Sequence, residues 1–166
     1  MFKTRDFYFK KVYNIKGKKV GIIEDLYIDF FLGKVVGFKV SNSSFFSKNN
    51  YIDMQDIIDI GEDVIIDSMR KGTGLTFKEL KYMEIIDKLS NVKGVLEDII
   101  IDIRDYSIKA IVISSGLIDK MIKGKQIILL NRCILGEEYI LYTGDEGILF
   151  KSMPHNMENY NAIKKA

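Results

Sequence analysis

The side chains best suited to chemistry in this chain are carboxylates that come in matched sets. Glu24, Asp25 and Asp29 follow one apolar run, and Glu97, Asp98 and Asp102 follow another. Asp25 and Asp29 fall on one face of an extended chain, as do Asp98 and Asp102, because strand side chains alternate with period two. Such carboxylates suit a hard cation, Mg²⁺ or Ca²⁺, which takes oxygen ligands. They suit equally the bonding of backbone N–H groups at strand ends and turns, a common task of short acids. Their presence in both sets favours the second use, since a requirement of a fold is duplicated with the fold. A hydrolytic carboxylate pair would need a cleft and one raised pKa, and no pattern signals either.

Other catalytic chemistry finds few candidates. The one histidine, His155, lies in a polar C-terminal stretch expected to fray, so no Ser–His or Cys–His pair is expected in the folded body. The one cysteine, Cys133, rules out an internal disulfide and a cysteine cage for a metal, and its apolar strand suits a small core residue. Lys71-Gly72-Thr73-Gly74 lacks the spacing of a phosphate-binding loop and reads as a hinge. The expectation is a protein that is not an enzyme and carries no cofactor or metal.

The elements that position these residues are repeated. Gly21-Ile22-Ile23-Glu24-Asp25 returns as Gly94-Val95-Leu96-Glu97-Asp98 at an offset of 73, and Val35 to Ser41 lies over Ile108 to Ser114 in the same register. After a slip of two, Ile57 to Ile66 lies over Arg132 to Leu141. A period this long, holding several strands, marks a duplicated domain rather than a solenoid. Gly21, Asp25 and Asp29, with Gly94, Asp98 and Asp102, are the structural motif of the two copies. Strands are expected at 7–13, 20–28, 34–41, 51–54, 57–60 and 64–66, then at 95–101, 107–114, 126–130, 133–135 and 139–142. Asn14 to Gly17 and Gly61 to Asp63 supply turns.

Between the copies, Thr76-Phe77-Lys78-Glu79 fits a capping box, and Phe77, Leu80, Met83, Ile86 and Leu89 recur at helical spacing. The spacing predicts a linker helix of about 12 residues, which would replace the first strand of the second copy. The resulting organisation is a first unit at 1–68, a linker helix within 69–91, a second unit at 92–150 and a frayed tail at 151–166. Each unit reads as a small curled barrel, so the fold class is mainly β: two small β-barrels joined by a short amphipathic helix.

Composition fits a globular chain of 166 residues, nearly half apolar with a formal charge of +2. No apolar run approaches the ~18 residues that span a bilayer, and a cytoplasmic location is expected. Residues 1–19 hold seven Lys/Arg against one acid, whereas residues 20–67 hold three against nine. Lys10, Lys11, Lys16, Lys18 and Lys19 interleave with Phe7, Tyr8, Phe9 and Tyr13, a combination that suits single-stranded RNA by stacking and phosphate contact. It suits as well a strand that buries alternate rings and leaves its lysines in water. Phe45-Phe46 stands in a polar Ser/Asn segment, where two adjacent rings cannot both point inward. One of them is a candidate contact for a partner or for the other unit.

Val12, Gly17, Val20-Gly21, Glu24-Asp25, Ile28-Asp29, Gly33-Lys34-Val35, Phe38 and Val40, in that order, resemble the PRC-barrel family. Ile57 to Asp67 looks like the closing hairpin of its small stand-alone bacterial members, among them short proteins of sporulating Gram-positive bacteria. The resemblance covers both units. It implies two tandem barrels serving as a protein-interaction module. Relatives include the cytoplasmic part of a photosynthetic reaction-centre subunit and the C-terminal domain of a ribosome maturation factor. This chain lacks the transmembrane helix of the first and an N-terminal domain like that of the second, so neither specific role is expected to transfer. The copies also differ at one turn, Leu32-Gly33-Lys34 against Asp105-Tyr106-Ser107.

The function expected is an adaptor that offers protein partners the Phe45-Phe46 segment and the groove between the units. The alternative is an RNA- or ribosome-associated factor that binds through the basic aromatic N-terminus. Contact of the same lysines with an acidic membrane surface is a third reading. Partner identity and oligomeric state have no signal in the sequence.

Overall fold

The aliphatic runs of both halves fold as strands because their branched side chains alternate with polar or small residues and bury one face. The computed structural model describes residues 1–42, 49–114 and 126–144. In chain order the strands of the first half are β1 (Phe2–Lys3), β2 (Lys11–Asn14), β3 (Lys19–Asp29), β4 (Lys34–Asn42), β5 (Tyr51–Asp53), β6 (Ile57–Ile60) and β7 (Val64–Ile66). One helical turn, α1 (Phe77–Leu80), precedes β8 (Glu84–Asp87), β9 (Val92–Ile101), β10 (Ile108–Ser114), β11 (Gln126–Leu129), β12 (Cys133–Leu135) and β13 (Tyr139–Tyr142). Short 3₁₀ turns stand at Thr4–Asp6, Met54–Asp56 and Leu130–Arg132.

Two sheets result. One has the order β5-β4-β3-β2-β7-β6, and the other β11-β10-β9-β8-β13-β12 with β1 added on β9. In each, a central antiparallel hairpin (β3–β4, β9–β10) is flanked by one parallel pair, Val12 opposite Val64 and Ile85 opposite Ile140. The two orders match strand for strand, with β8 at the offset of β2. The offset widens to 76 at the 3₁₀ turns, one more than the 57–66 alignment implies. The difference lies in β6, which has an irregularity between Ile57 and Asp59, and in a turn after Gly136 one residue longer than that after Gly61.

Several expectations are corrected. Among the described residues the sheets are open, with no pairing that closes either into a barrel, and the helix between them is the single turn α1. The capping box does form, Glu79 accepting from the Thr76 N–H and hydroxyl at 2.7 and 2.8 Å, but the helix it starts lasts one turn. Tyr82 then takes φ 71°, and Glu84-Ile85-Ile86-Asp87 pairs with β9 and β13. The aliphatic spacing at Ile85-Ile86 fits either periodicity over so short a run, and cross-strand pairing of β-branched residues prevails. The second half is therefore not short of its first strand. Likewise the strand expected at 7–13 begins only at Lys11. Phe9 (φ 65°) turns the chain where Tyr82 does in the other half.

Segment 70–76 is held rather than hinged. Arg70 exchanges backbone bonds with Tyr51, Gly72 N–H donates to the Asn50 side chain, and Gly72 packs on the Tyr27 phenol and the Tyr51 Cβ. Buried residues of both halves, among them Phe7, Phe38, Phe77, Leu80, Ile85, Leu96 and Ile111, form one continuous core.

Gly21 and Gly94 lie where β3 and β9 pass close to their hairpin partners. A Cβ at either would strike the carbonyl of Ser41 or Ser114. Gly21→Ala and Gly94→Ala are each expected to lower unfolding free energy by about 1–3 kcal/mol, the cost of overpacking. Gly61→Ala, in an open turn, should stay within about 0.5 kcal/mol of the parent. Urea titration of the three variants checks both the magnitude and the equivalence of the halves.

Candidate functional site

The repeated acids turn out to hold the two halves together crosswise. Asp25, 1% exposed, accepts from its neighbour's N–H (Leu26, 2.9 Å) and from Lys78 N–H (3.1 Å) in the helical turn ahead of β8. Asp98 accepts from Ile99 N–H (2.9 Å) and, in the 3₁₀ turn ahead of β2, from the Thr4 N–H (3.1 Å) and hydroxyl (2.8 Å). Each half's leading segment is thus capped by the other half. The strands agree: Lys3 pairs with Ile100, and Thr76 with Tyr27, the same pair of positions exchanged. At the centre, Val35 N–H donates to Tyr106 O (2.9 Å) and Ile108 N–H to Gly33 O (2.7 Å), with Lys34 opposite Ser107. These reciprocal bonds define a pseudo-two-fold axis between β4 and β10.

Asp29 accepts from Leu32 N–H (2.8 Å) and Asp102 from Arg104 N–H (3.1 Å), closing the two equivalent hairpin turns. The Arg104 guanidinium pairs with Asp102 at 2.6 Å and holds its carboxyl well below the usual carboxylate range. Backbone and side-chain N–H groups of Asn91, in the turn after β8, do the same for Asp87. Glu24 is exposed, 3.7 Å from Lys78. No group of three or more His, Cys, Asp or Glu among the described residues could hold a metal ion. Tyr8, bonded to Asp25 at 3.4 Å, has its phenol pushed up by burial and by that carboxylate.

The basic hairpin is divided in its use. Lys10 bonds the carbonyls of Gly61 and Glu62 and so ties down the β6–β7 turn, whereas Lys11, Lys16, Lys18 and Lys19 are exposed. Of its rings, Phe7 is in the core, Tyr8 and Tyr13 are half-buried, and Phe9 is 78% exposed. Phe45, Phe46 and His155 lie outside the described residues.

A groove of about 650 Å³ runs between the halves. Its one wall is the turn after β3, Phe30 to Gly33, and its other wall is β10, the end of β11 and β12. Phe31 (86% exposed), Leu32, Leu129 and Ile134 (54%) give it an apolar rim. Cys133 lines it too, and burial pushes that thiol up to about 12, so it is a poor nucleophile at neutral pH.

Residues 1–71 match the family model of the PRC-barrel domain. Among curated proteins no match was found. The matched segment spans the first sheet and the β1 arm, which pairs in the second. Of the groove residues, sequence reasoning did not single out Phe30, Phe31, Leu129 or Ile134. The signal was an apolar Phe-Phe-Leu run in a hairpin turn, where polar residues are the norm.

Asp25→Ala should cost about 2 kcal/mol, because Lys78 and Leu26 N–H groups lose a buried acceptor. Asp98→Ala should cost a similar amount, and a double variant should reveal coupling if the two caps act as one joint. Chemical denaturation of the three proteins measures this; wild-type stability in Asp25→Ala would discard the crosswise cap.

The lowered pKa values of Asp87 and Asp102 fix a sign with pH. Their contribution is present above the unfolded carboxylate range, near ~4, and is lost as pH falls through the lower folded-state values. The urea midpoint should therefore fall steadily below about pH 4, and Asp87→Asn/Asp102→Asn should flatten that limb. An unchanged limb in the double variant would remove these two groups as its cause.

Proposed function

We propose that this chain is a non-enzymatic protein-interaction module in which two tandem PRC-barrel units, locked about a pseudo-two-fold axis, present the groove between them to a protein partner. The observation that carries this reading is the groove itself: concave, apolar at its rim, open to solvent and built by both halves. Interaction surfaces combine such apolar anchors with a polar surround. The second unit is taken as a PRC-barrel because β8 to β13 repeat β2 to β7 in order and pairing. The non-enzymatic part draws on how the acids are used: Asp25, Asp29, Asp98 and Asp102 are each occupied with backbone N–H groups. A cytoplasmic site belongs to the same proposal; among the described residues no helix is long and apolar enough to cross a membrane.

One observation favours an RNA- or ribosome-associated role instead: exposed Phe9 stands beside a hairpin with four exposed lysines. Affinity capture from the source cell's lysate, with and without nuclease, separates the two. The adaptor reading expects a defined protein that survives nuclease and is lost with Leu129→Asp/Ile134→Asp, both exposed positions. Ribosomal proteins or RNA released by nuclease, and lost with Lys16→Glu/Lys18→Glu, would replace it.

A further inference from the structure

The pseudo-two-fold axis gives the groove a twin, and the two are not alike. Position 33 in one half corresponds to position 106 in the other, and both take a left-handed backbone, φ 61° at Gly33 and φ 55° at Tyr106. Their backbone bonds across the axis are the same reciprocal pair, so the side chains leave the backbone in equivalent directions. At Gly33 that direction leads into the groove, since a Cβ there would lie 3.0 Å from Leu130 Cδ2. In the twin the direction is occupied. The Tyr106 side chain is half-buried on the continuous core, and its phenol is raised by burial and by the charge of Asp59 on β6. β6 is the counterpart of β12, which walls the groove on the Gly33 side. The protein thus fills one groove with its own tyrosine and leaves the other, at glycine, without a side chain.

The charge of the open groove also differs from that of its twin. Among the described residues Lys109 is the one charged side chain in its lining, held only by an exposed pair with Asp105 at 3.8 Å, and exposed Arg132 stands between Asn131 and Cys133 at its edge. The twin holds a carboxylate, Asp59, at the equivalent wall.

We infer that the open groove receives an aromatic side chain of a protein partner, with a carboxylate of that partner set beside Lys109 and Arg132. The inference rests on the interaction reading above and names the chemistry that the groove selects. A single ring buried in a preformed apolar slot, with a charge at its rim, is the usual anatomy of an anchor residue. Tyr106 is the built-in example of what fits.

The test uses the full chain and small probes. Methyl groups of Leu129, Leu130 and Ile134 are followed by NMR while p-cresol, then N-acetyl-Asp-Tyr-amide, is added. Saturable shifts centred on those methyls are expected. The acidic probe should bind at least about threefold more tightly than N-acetyl-Asn-Tyr-amide at low salt, a preference lost in Lys109→Gln/Arg132→Gln. Gly33→Tyr should plug the groove as Tyr106 plugs its twin and abolish the shifts. Should that variant fail to fold, Ile134→Asp, at an exposed site, must weaken both probes. Shifts absent from the groove, or unaltered by Gly33→Tyr or Ile134→Asp, would overturn the assignment. So would concentration-dependent dimerisation abolished by Phe31→Ser, which would give the groove to a second copy. No acidic preference would strike out the carboxylate. A captured protein partner that binds Gly33→Tyr as well as wild type would sink this inference and leave the interaction reading standing. Probe binding in the groove with no protein partner captured would do the reverse.

Discussion

The structure depends on two aspartates that are satisfied by the opposite half. Removing Asp25 from water is costly unless its oxygens find donors, and those donors are Leu26 beside it and Lys78 across the axis. Asp98 repeats the arrangement with Ile99 and Thr4. Neither half can withdraw without taking from an aspartate its donor across the axis and from the Lys78 or Thr4 N–H its acceptor. The caps also decide where the leading segments lie, and through them where β2 and β8 enter their sheets. That Phe7, Phe77 and Leu80 share one core with the strands of both halves follows from this exchange.

Duplication preserved the backbone more strictly than the side chains. Phe9 and Tyr82, Gly17 and Ser90, and Gly33 and Tyr106 are paired positions that all take positive φ. A residue with a Cβ pays about 1 kcal/mol for that conformation where glycine pays little, so the second half carries strain at Ser90 and Tyr106 that the first avoids. The reciprocal bonds at the axis hold Tyr106 in place despite it. Side chains were freer to diverge where the backbone was fixed, and the unequal grooves are the outcome.

Much of this was legible in the repeated glycines and acids. Strands with clear alternation, β3, β4, β9 and β10, fall within a few residues of their expected bounds, because period two over nine or so residues has no rival reading. The crosswise use of Asp25 and Asp98 was not legible, since a sequence shows which residues are equivalent but not which copy serves which. The linker helix failed for a local reason: Thr76 to Glu79 is a true helix start, and Ile85-Ile86 fits helical and strand spacing alike until β9 and β13 are present to pair with it. The alignment itself held a missed hint, because β2 already had a counterpart position at Glu84 to Asp87. A groove between the units was expected, but its lining was not legible, because that needs two turns and two sheets brought together across the axis.

The exchanged arm has a consequence for how the protein is made. Phe2, Lys3 and Thr4 bond to Asp98, Ile100 and Ile101, with Thr4 and Asp98 standing 94 positions apart along the chain. As synthesis proceeds toward the C-terminus, these residues find their permanent partners only after about a hundred more have followed. Until then the arm stays unmatched. Such long-range closure slows folding, and it makes completion of the second half the event that locks the first.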